Sequence, residues 1–209
     1  SPVEVCLDRL EELVSLNRHF DFYWYPRSDQ CRLRLLNVRG AGSDVDYAEP
    51  YETHTGWAHQ IIPKHSGLPY KFDEMEYEVP IEAGTECFLE VRRRILERWR
   101  REVGWRVLWR TIAADDSYLS PANGRDTASI SVHHNAPLPF EGFFGDIEPI
   151  FRAYGGRPHW AKKHSLTADE LRPLYPDWDR FMEKRRHLDP QGVFLSSYLR
   201  RLLGEGEES

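Results

Sequence analysis

The feature that most limits the fold is a set of short runs with two-residue alternation, joined by connections of very unequal length. Phe20 to Tyr25 is aromatic-rich and stops at Pro26, and Cys31 to Leu36 alternates arginine with apolar residues after a turn, which predicts a hairpin. Phe72 to Val79 alternates up to Pro80. Val107 to Ala113 and Thr127 to His134 give two further strands, separated by a loop with Asp115, Asp116, Pro121, Asn123 and Gly124. Strands joined now by a turn, now by a helix, do not make regular βαβ units. They predict an α+β fold, a mostly antiparallel sheet with helices covering one face. No GxGxxG is present, and the irregular alternation argues against a Rossmann nucleotide fold.

Helical spacing marks the connections. In Val3 to Asn17, Leu7, Leu10, Leu13 and Val14 recur every three to four residues. Ile81 to Glu102 places Phe88, Val91, Ile95, Leu96 and Trp99 on one face, and Gly142 to Tyr154 closes at Gly155 and Gly156. Thr167-Ala-Asp-Glu170 is a capping box, and a final helical segment follows Pro190. Asn37 to Pro69 keeps no period and predicts a long loop with one short helix. With 209 residues, 40% of them hydrophobic, a single domain over 1–209 is expected.

The 28 basic and 34 acidic side chains give a net charge of -6, a field that repels nucleic acid and anionic membrane and suits a small polar substrate or a protein partner. Cys6, Cys31 and Cys87 are odd in number and widely spaced, so neither a disulfide framework nor a zinc cluster is indicated and a reducing cytoplasm is expected. No run approaches the roughly 18 apolar residues of a membrane span. The chain opens at Ser1 directly into a helical pattern, which suggests a piece of a larger protein.

The densest chemistry lies in Tyr154-Gly-Gly-Arg-Pro-His-Trp-Ala-Lys162. Two glycines end a helix and permit close backbone approach to a ligand, Trp160 offers a flat apolar wall, Lys162 a cation for an oxygen-rich partner, and His159 a proton donor or acceptor near neutral pH. The plainer reading makes Trp160 core, His159 a satisfied hydrogen-bonding residue and Lys162 a solvated charge.

Gly-Gly-Arg-Pro-His-Trp-Ala-Lys, followed by Leu174-Tyr-Pro176, Phe181, Arg185, Leu188-Asp-Pro190, Gly192, Phe194 and Tyr198-Leu199, resembles the C-terminal signature of the gulonolactone, arabinonolactone and alditol oxidases. These are flavoproteins of the vanillyl-alcohol oxidase type. Phe22-Tyr-Trp-Tyr-Pro26, Glu74-Met-Glu-Tyr77 before Val79-Pro80, and Asp115-Asp116 before Leu119-Ser-Pro121 agree in order, so the resemblance spans nearly the whole chain. It implies a substrate-binding cap, with FAD held mainly by an N-terminal domain and residues 187–209 packing toward that domain. It also implies oxidation of a CH–OH group of a sugar lactone or alditol. The alternative is an isolated sugar-binding or partner-binding module without redox activity of its own.

Carried over position by position, the resemblance makes Lys162 a contact for substrate oxygens or the flavin edge, and Arg110 the group that stabilises a forming alkoxide. The related strand has glutamate two residues before this arginine. Leu108 stands there, which predicts an arginine without its usual partner. His133 or His134 must share the face of Arg110, and His133 is chosen as a proton acceptor in place of the lost carboxylate. His159 completes the catalytic candidates. Trp160, His134 and Tyr23 are candidate substrate contacts, and Ser196, where relatives often have asparagine, is a candidate cofactor contact with Lys162.

Other signals are set aside. His54, His59 and His65 show no metal-ligand spacing, so no metal is expected. The arginines of 92–101 alternate with Glu90, Glu97 and Glu102, as on an ion-paired, solvated helix face. Asp115 and Asp116 suit loop capping better than a catalytic carboxylate pair.

Overall fold

The computed structural model describes residues 1–42, 45–49, 52–62 and 71–206. Within them the strands are β1 (His19–Tyr25), β2 (Gln30–Leu36), β3 (Phe72–Pro80), β4 (Val107–Ile112), β5 (Thr127–Asn135) and β6 (Arg157–Pro158). The helices are α1 (Val3–Asp8), α2 (Leu10–Leu16), α3 (Ala58–Ile61), α4 (Gly84–Arg94), α5 (Glu141–Ala153), α6 (Ala168–Leu171), α7 (Trp178–Leu188) and α8 (Ser197–Leu203). The strands form one sheet in the order β2-β1-β4-β5-β3-β6, antiparallel at every pairing. The expected α+β architecture is the one observed, with a sixth strand contributed by the glycine-rich motif itself.

Alternation along each strand sorts the side chains. Phe22 and Trp24 of β1, Trp109 of β4, Ile130 and Val132 of β5, and Tyr77 of β3 point to one face and are buried. Phe88 of α4 meets Phe22 edge-on at 5.2 Å, and Phe22 stacks on Trp109 at 5.4 Å, so the helix layer and the sheet interlock through aromatic rings. Burying a side chain such as Phe88 contributes about 1.5–3 kcal/mol. The other face carries the polar members of the same strands.

Two helices differ from expectation. The first is interrupted at Arg9, whose φ of -106° and ψ of 8° separate α1 from α2. The long second helix starts as a single 3-10 turn, Ile81–Ala83, and ends in a widened π turn, Ile95–Trp99. In that turn Asp146 of α5 accepts hydrogen bonds from the Trp99 indole at 2.9 Å, Arg94 at 2.5 Å and Arg98 at 3.2 Å. Arg92 pairs with Asp29 and Glu4, and Arg93 with Glu90 and Glu97, so the arginine-rich helix is ion-paired as predicted. Helix α5 ends in a Schellman arrangement: Gly155, at φ +69°, donates to the Arg152 carbonyl and Gly156 to that of Phe151. A Cβ on Gly156 would lie 2.7 Å from the Phe151 oxygen and 3.0 Å from the Tyr77 ring. The close approach expected of this glycine is therefore to its own chain.

At Gly84, the first residue of α4, a Cβ would fall 2.4 Å from the Cβ of Ala128 on β5. Alanine gains about 1 kcal/mol of helix propensity over glycine, but overpacking a filled core costs about 1–3 kcal/mol. The clash wins. Gly84→Ala is expected to lower the urea midpoint, and adding Ala128→Gly, which removes the obstructing methyl, recovers part of the loss.

Candidate functional site

The uncovered face of the sheet is a grid whose rows follow from strand register. One row runs Glu78, Ser129, Arg110, Asp21, Arg34 across β3, β5, β4, β1 and β2. The next runs Glu76, Ser131, Leu108, Tyr23, Arg32. A third pairs Glu74 with His133. Period-two alternation thus brings three glutamates of β3, two serines and a histidine of β5, and the β4 arginine onto one surface. The expectation that Leu108 leaves Arg110 without a carboxylate is corrected: Arg110 donates to Glu76 Oε1 at 2.6 Å, reaching across β5, and the Ser129 hydroxyl donates to the same oxygen at 2.6 Å.

Glu74 is the second hub. Its carboxylate is gripped by the Lys162 ammonium and the Ser131 hydroxyl, and His133 Nε2 stands 3.3 Å away. Burial alone would raise this carboxyl. Hydrogen bonds and charge from His133, with Lys162 and Ser131, overcome it and hold Glu74 well below the ordinary carboxylate range. His133 Nδ1 lies 2.9 Å from the Arg106 carbonyl, which can only accept, so Nδ1 carries a proton; a second proton on Nε2 makes the charged hydrogen bond to Glu74, and in the neutral ring Nε2 is the accepting nitrogen. Glu78 behaves in the opposite way. It is buried, its Oε2 has no hydrogen-bond partner among the described residues, and burial with the neighbouring Glu76 charge pushes its carboxyl up to about 8.

The glycine-rich motif is laid along β3 by the backbone. Tyr77 and Glu78 pair with Pro158 and Arg157, His159 N–H donates to the Glu76 carbonyl at 2.9 Å, and Lys163 N–H to that of Glu74 at 2.8 Å. A buried carboxylate from the helix layer fixes the same segment, since Glu148 Oε1 of α5 accepts from the Tyr77 hydroxyl at 2.6 Å and from the Ser165 N–H at 2.7 Å. Lys162 is thereby delivered to Glu74. A cleft of about 570 Å³ opens there between Phe72, Glu74, Trp160, Lys162 and Tyr198. A larger hollow of about 740 Å³ lies along α8 and shares only Tyr198 with this cleft.

Arg110, Lys162 and His133 are brought onto one face, linked through Glu74, Glu76 and the two serines. His159 adjoins them, its Nδ1 accepting the Ala161 N–H at 3.1 Å. Trp160 walls the cleft, bonds the Leu119 carbonyl at 2.7 Å and packs on Tyr175, so the apolar-wall and core readings both describe it. Tyr23 is on the uncovered face, between the guanidinium carbons of Arg34 and Arg106 at 4.4 Å and 4.1 Å. His134 is a correction: it shares the parity of Val132, faces the helices and sits 5.7 Å from the Phe143 ring, away from the site. Ser196 is the N-cap of α8, its hydroxyl accepting the Leu199 N–H at 3.3 Å. Asp115 caps its own loop through Ser117 and Ser120, as expected. His65 lies outside the described residues. Glu74, Glu76 and Glu78 went unassigned from sequence, although their strict alternation in β3 marked them as one face.

The profile of a family described as D-arabinono-1,4-lactone oxidase matches residues 65–202. An L-gulono-1,4-lactone dehydrogenase of Mycobacterium tuberculosis is 35% identical over 95% of this chain and 54% of its own length. The L-gulonolactone oxidase of Mus musculus is 31% identical over 97% of this chain and 55% of its own. An alditol oxidase of Streptomyces is 37% identical over 45% of this chain and 23% of its own. The chain thus spans about half the length of the relatives that match it throughout.

The two outer glutamates of β3 give opposite pH signatures. Glu74 has a folded value below its ordinary 4.5, so its contribution is present above that pH and lost on acidification. Glu74→Gln should lose about 1.5–3 kcal/mol at neutral pH, a deficit that shrinks as the pH falls below about 4.5. Glu78 is raised to about 8, so the wild type loses stability between 4.5 and 8. Glu78→Gln should therefore be the more stable protein at pH 8 and equal to wild type at pH 4, as read by urea unfolding across this range.

Proposed function

The chain belongs to the D-arabinono-1,4-lactone oxidase family, and from that premise we propose that it forms the substrate-binding cap of a flavin-dependent oxidoreductase acting on a CH–OH group of a sugar lactone or alditol. The observation that carries the reading is the convergence of Arg110, Lys162 and His133 on one uncovered sheet face, each held by a carboxylate or carbonyl of that face. Hydroxyl-rich substrates need such alternating donors and acceptors at fixed spacing.

FAD is the cofactor that the family resemblance implies. The residues present fit its electron-rich edge: the Arg110 and Lys162 side chains are 40% and 29% exposed on the open face and keep N–H groups to donate. When bound, the flavin would supply the acceptor for the hydride of the carbinol carbon. Arg110, steadied by Glu76, stabilises the developing alkoxide oxygen. In its neutral form His133, with the ring oriented by the Arg106 carbonyl, takes the hydroxyl proton at Nε2. Lys162 and His159 orient the remaining oxygens, with Trp160 and Tyr23 as flat walls. Ser196 uses its acceptor capacity as a helix cap and retains its O–H to donate to the cofactor side.

The dinucleotide part of FAD is assigned to an N-terminal domain, to which residues 187–209 dock. Leu188, at the end of α7, and Val193 and Phe194, on the loop pinned by the Asp189 carboxylate to the Val193 and Phe194 N–H groups, support this, being 79%, 73% and 83% exposed. No helix among the described residues is long and apolar enough to cross a membrane.

The test joins this chain to its flavin domain and follows anaerobic flavin bleaching with aldonolactones and alditols. Bleaching by one of these classes is expected. Arg110→Met and Lys162→Met should each slow flavin reduction on the order of 10²–10³-fold while near-ultraviolet dichroism stays that of the wild type. Bleaching at the wild-type rate in both variants refutes the assignment.

A further inference from the structure

Among the described residues, the cations that strand register places on the open face are matched by carboxylates, Arg32 by Glu52 among them, and Arg106 is the exception. Arg34 pairs with Asp21, Arg110 with Glu76, and Lys162 with Glu74. Among the described residues no carboxylate lies within ion-pair distance of Arg106, and its buried Nε has no hydrogen-bond partner. Its guanidinium lies 4.1 Å from the Tyr23 ring centroid, and its carbonyl receives the His133 ring, so both ends of the residue are held while its charge is unanswered. A stacked guanidinium keeps its planar fork free for two parallel bonds to oxygens of an anion, and stacking lowers the entropy lost on binding.

Position makes this charge relevant to the substrate. Arg106, Leu108 and Arg110 are alternate residues at the start of and along β4, so they share a face at steps of about 7 Å. Leu108 between them brings no charge. Arg110 reaches across β5 to Glu76 and His133 stands on β5, whereas the Arg106 guanidinium turns the other way, over Tyr23 of β1, so a short polyol with its reacting carbon on the β5 side crosses Leu108 and presents its far end to Arg106.

We propose that Arg106, stacked on Tyr23, receives an anionic substituent, carboxylate or phosphate, at the end of the sugar substrate remote from the oxidised carbon. This rests on the reading of the open face as the substrate surface and specifies the substrate class. The protein then discriminates for sugar acids or sugar phosphates over neutral polyols of equal length.

The test is equilibrium binding to the full chain by calorimetry, with glucitol, gluconate, glucitol 6-phosphate and inorganic phosphate as probes. Gluconate or the sugar phosphate should bind at least ten-fold more tightly than glucitol, and the tighter of the two identifies the anion. Arg106→Gln should abolish that preference while glucitol affinity stays unchanged. Arg106→Lys should keep part of it, and Tyr23→Leu, which removes the stack and leaves the charge, should weaken it. Unchanged near-ultraviolet dichroism controls for folding. Equal affinity for glucitol and gluconate, or a preference surviving Arg106→Gln, overturns the inference and leaves the wider reading standing. Inorganic phosphate binding as tightly as the sugar anions shows a general anion sink and overturns it as well. Binding of none of the sugars overturns both.

Discussion

Nine consecutive residues of β3, Phe72 to Pro80, pair with nine of β5, Thr127 to Asn135, and nearly every other placement in the molecule is measured from that ladder. It lies inside the sheet, with β4 and β6 on its outer edges, so a one-residue slip would exchange its two faces completely. Such a slip would drive Glu74, Glu76, Glu78 and His133 into the aromatic layer under α4 and α5 and lift Tyr77, Ile130 and Val132 into the open. The hydrophobic face sets the register, and the register in turn sets the site.

The polar face is held together by sharing. Glu76 serves a serine and an arginine through one oxygen, and Glu74 serves a lysine, a serine and a histidine. Buried carboxylates cost solvation that only such multiple donors offset. Glu78, two residues further along the same strand, has no donor at Oε2 among the described residues and stays protonated to higher pH. Three identical side chains on one strand thus differ because of what β5, β4 and the glycine-rich segment place opposite each.

Much of this was legible in the chain. Alternation identified the strands, the capping box at Thr167 is formed, and parity required one of His133 and His134 to share the face of Arg110, which His133 does. The partner of Arg110 was not legible. Glu76 reaches it only because β5, later in sequence than both, is inserted between β3 and β4, and strand order is a tertiary fact that local spacing does not encode. The break at Arg9 and the widened turn before Arg100 escaped for a similar reason, because the apolar spacing runs through both without interruption. Gly156 was read as making room for a ligand when the room is taken by Phe151 and Tyr77.

Glu148 sits under the sheet, in the helix layer, yet it bonds both a tyrosine of β3 and the backbone just beyond Lys162. The two sides of the sheet are therefore mechanically continuous at this point. A change at Glu148 would thus be felt by the backbone that carries Lys162, on the opposite side of the sheet from the helix in which the change is made.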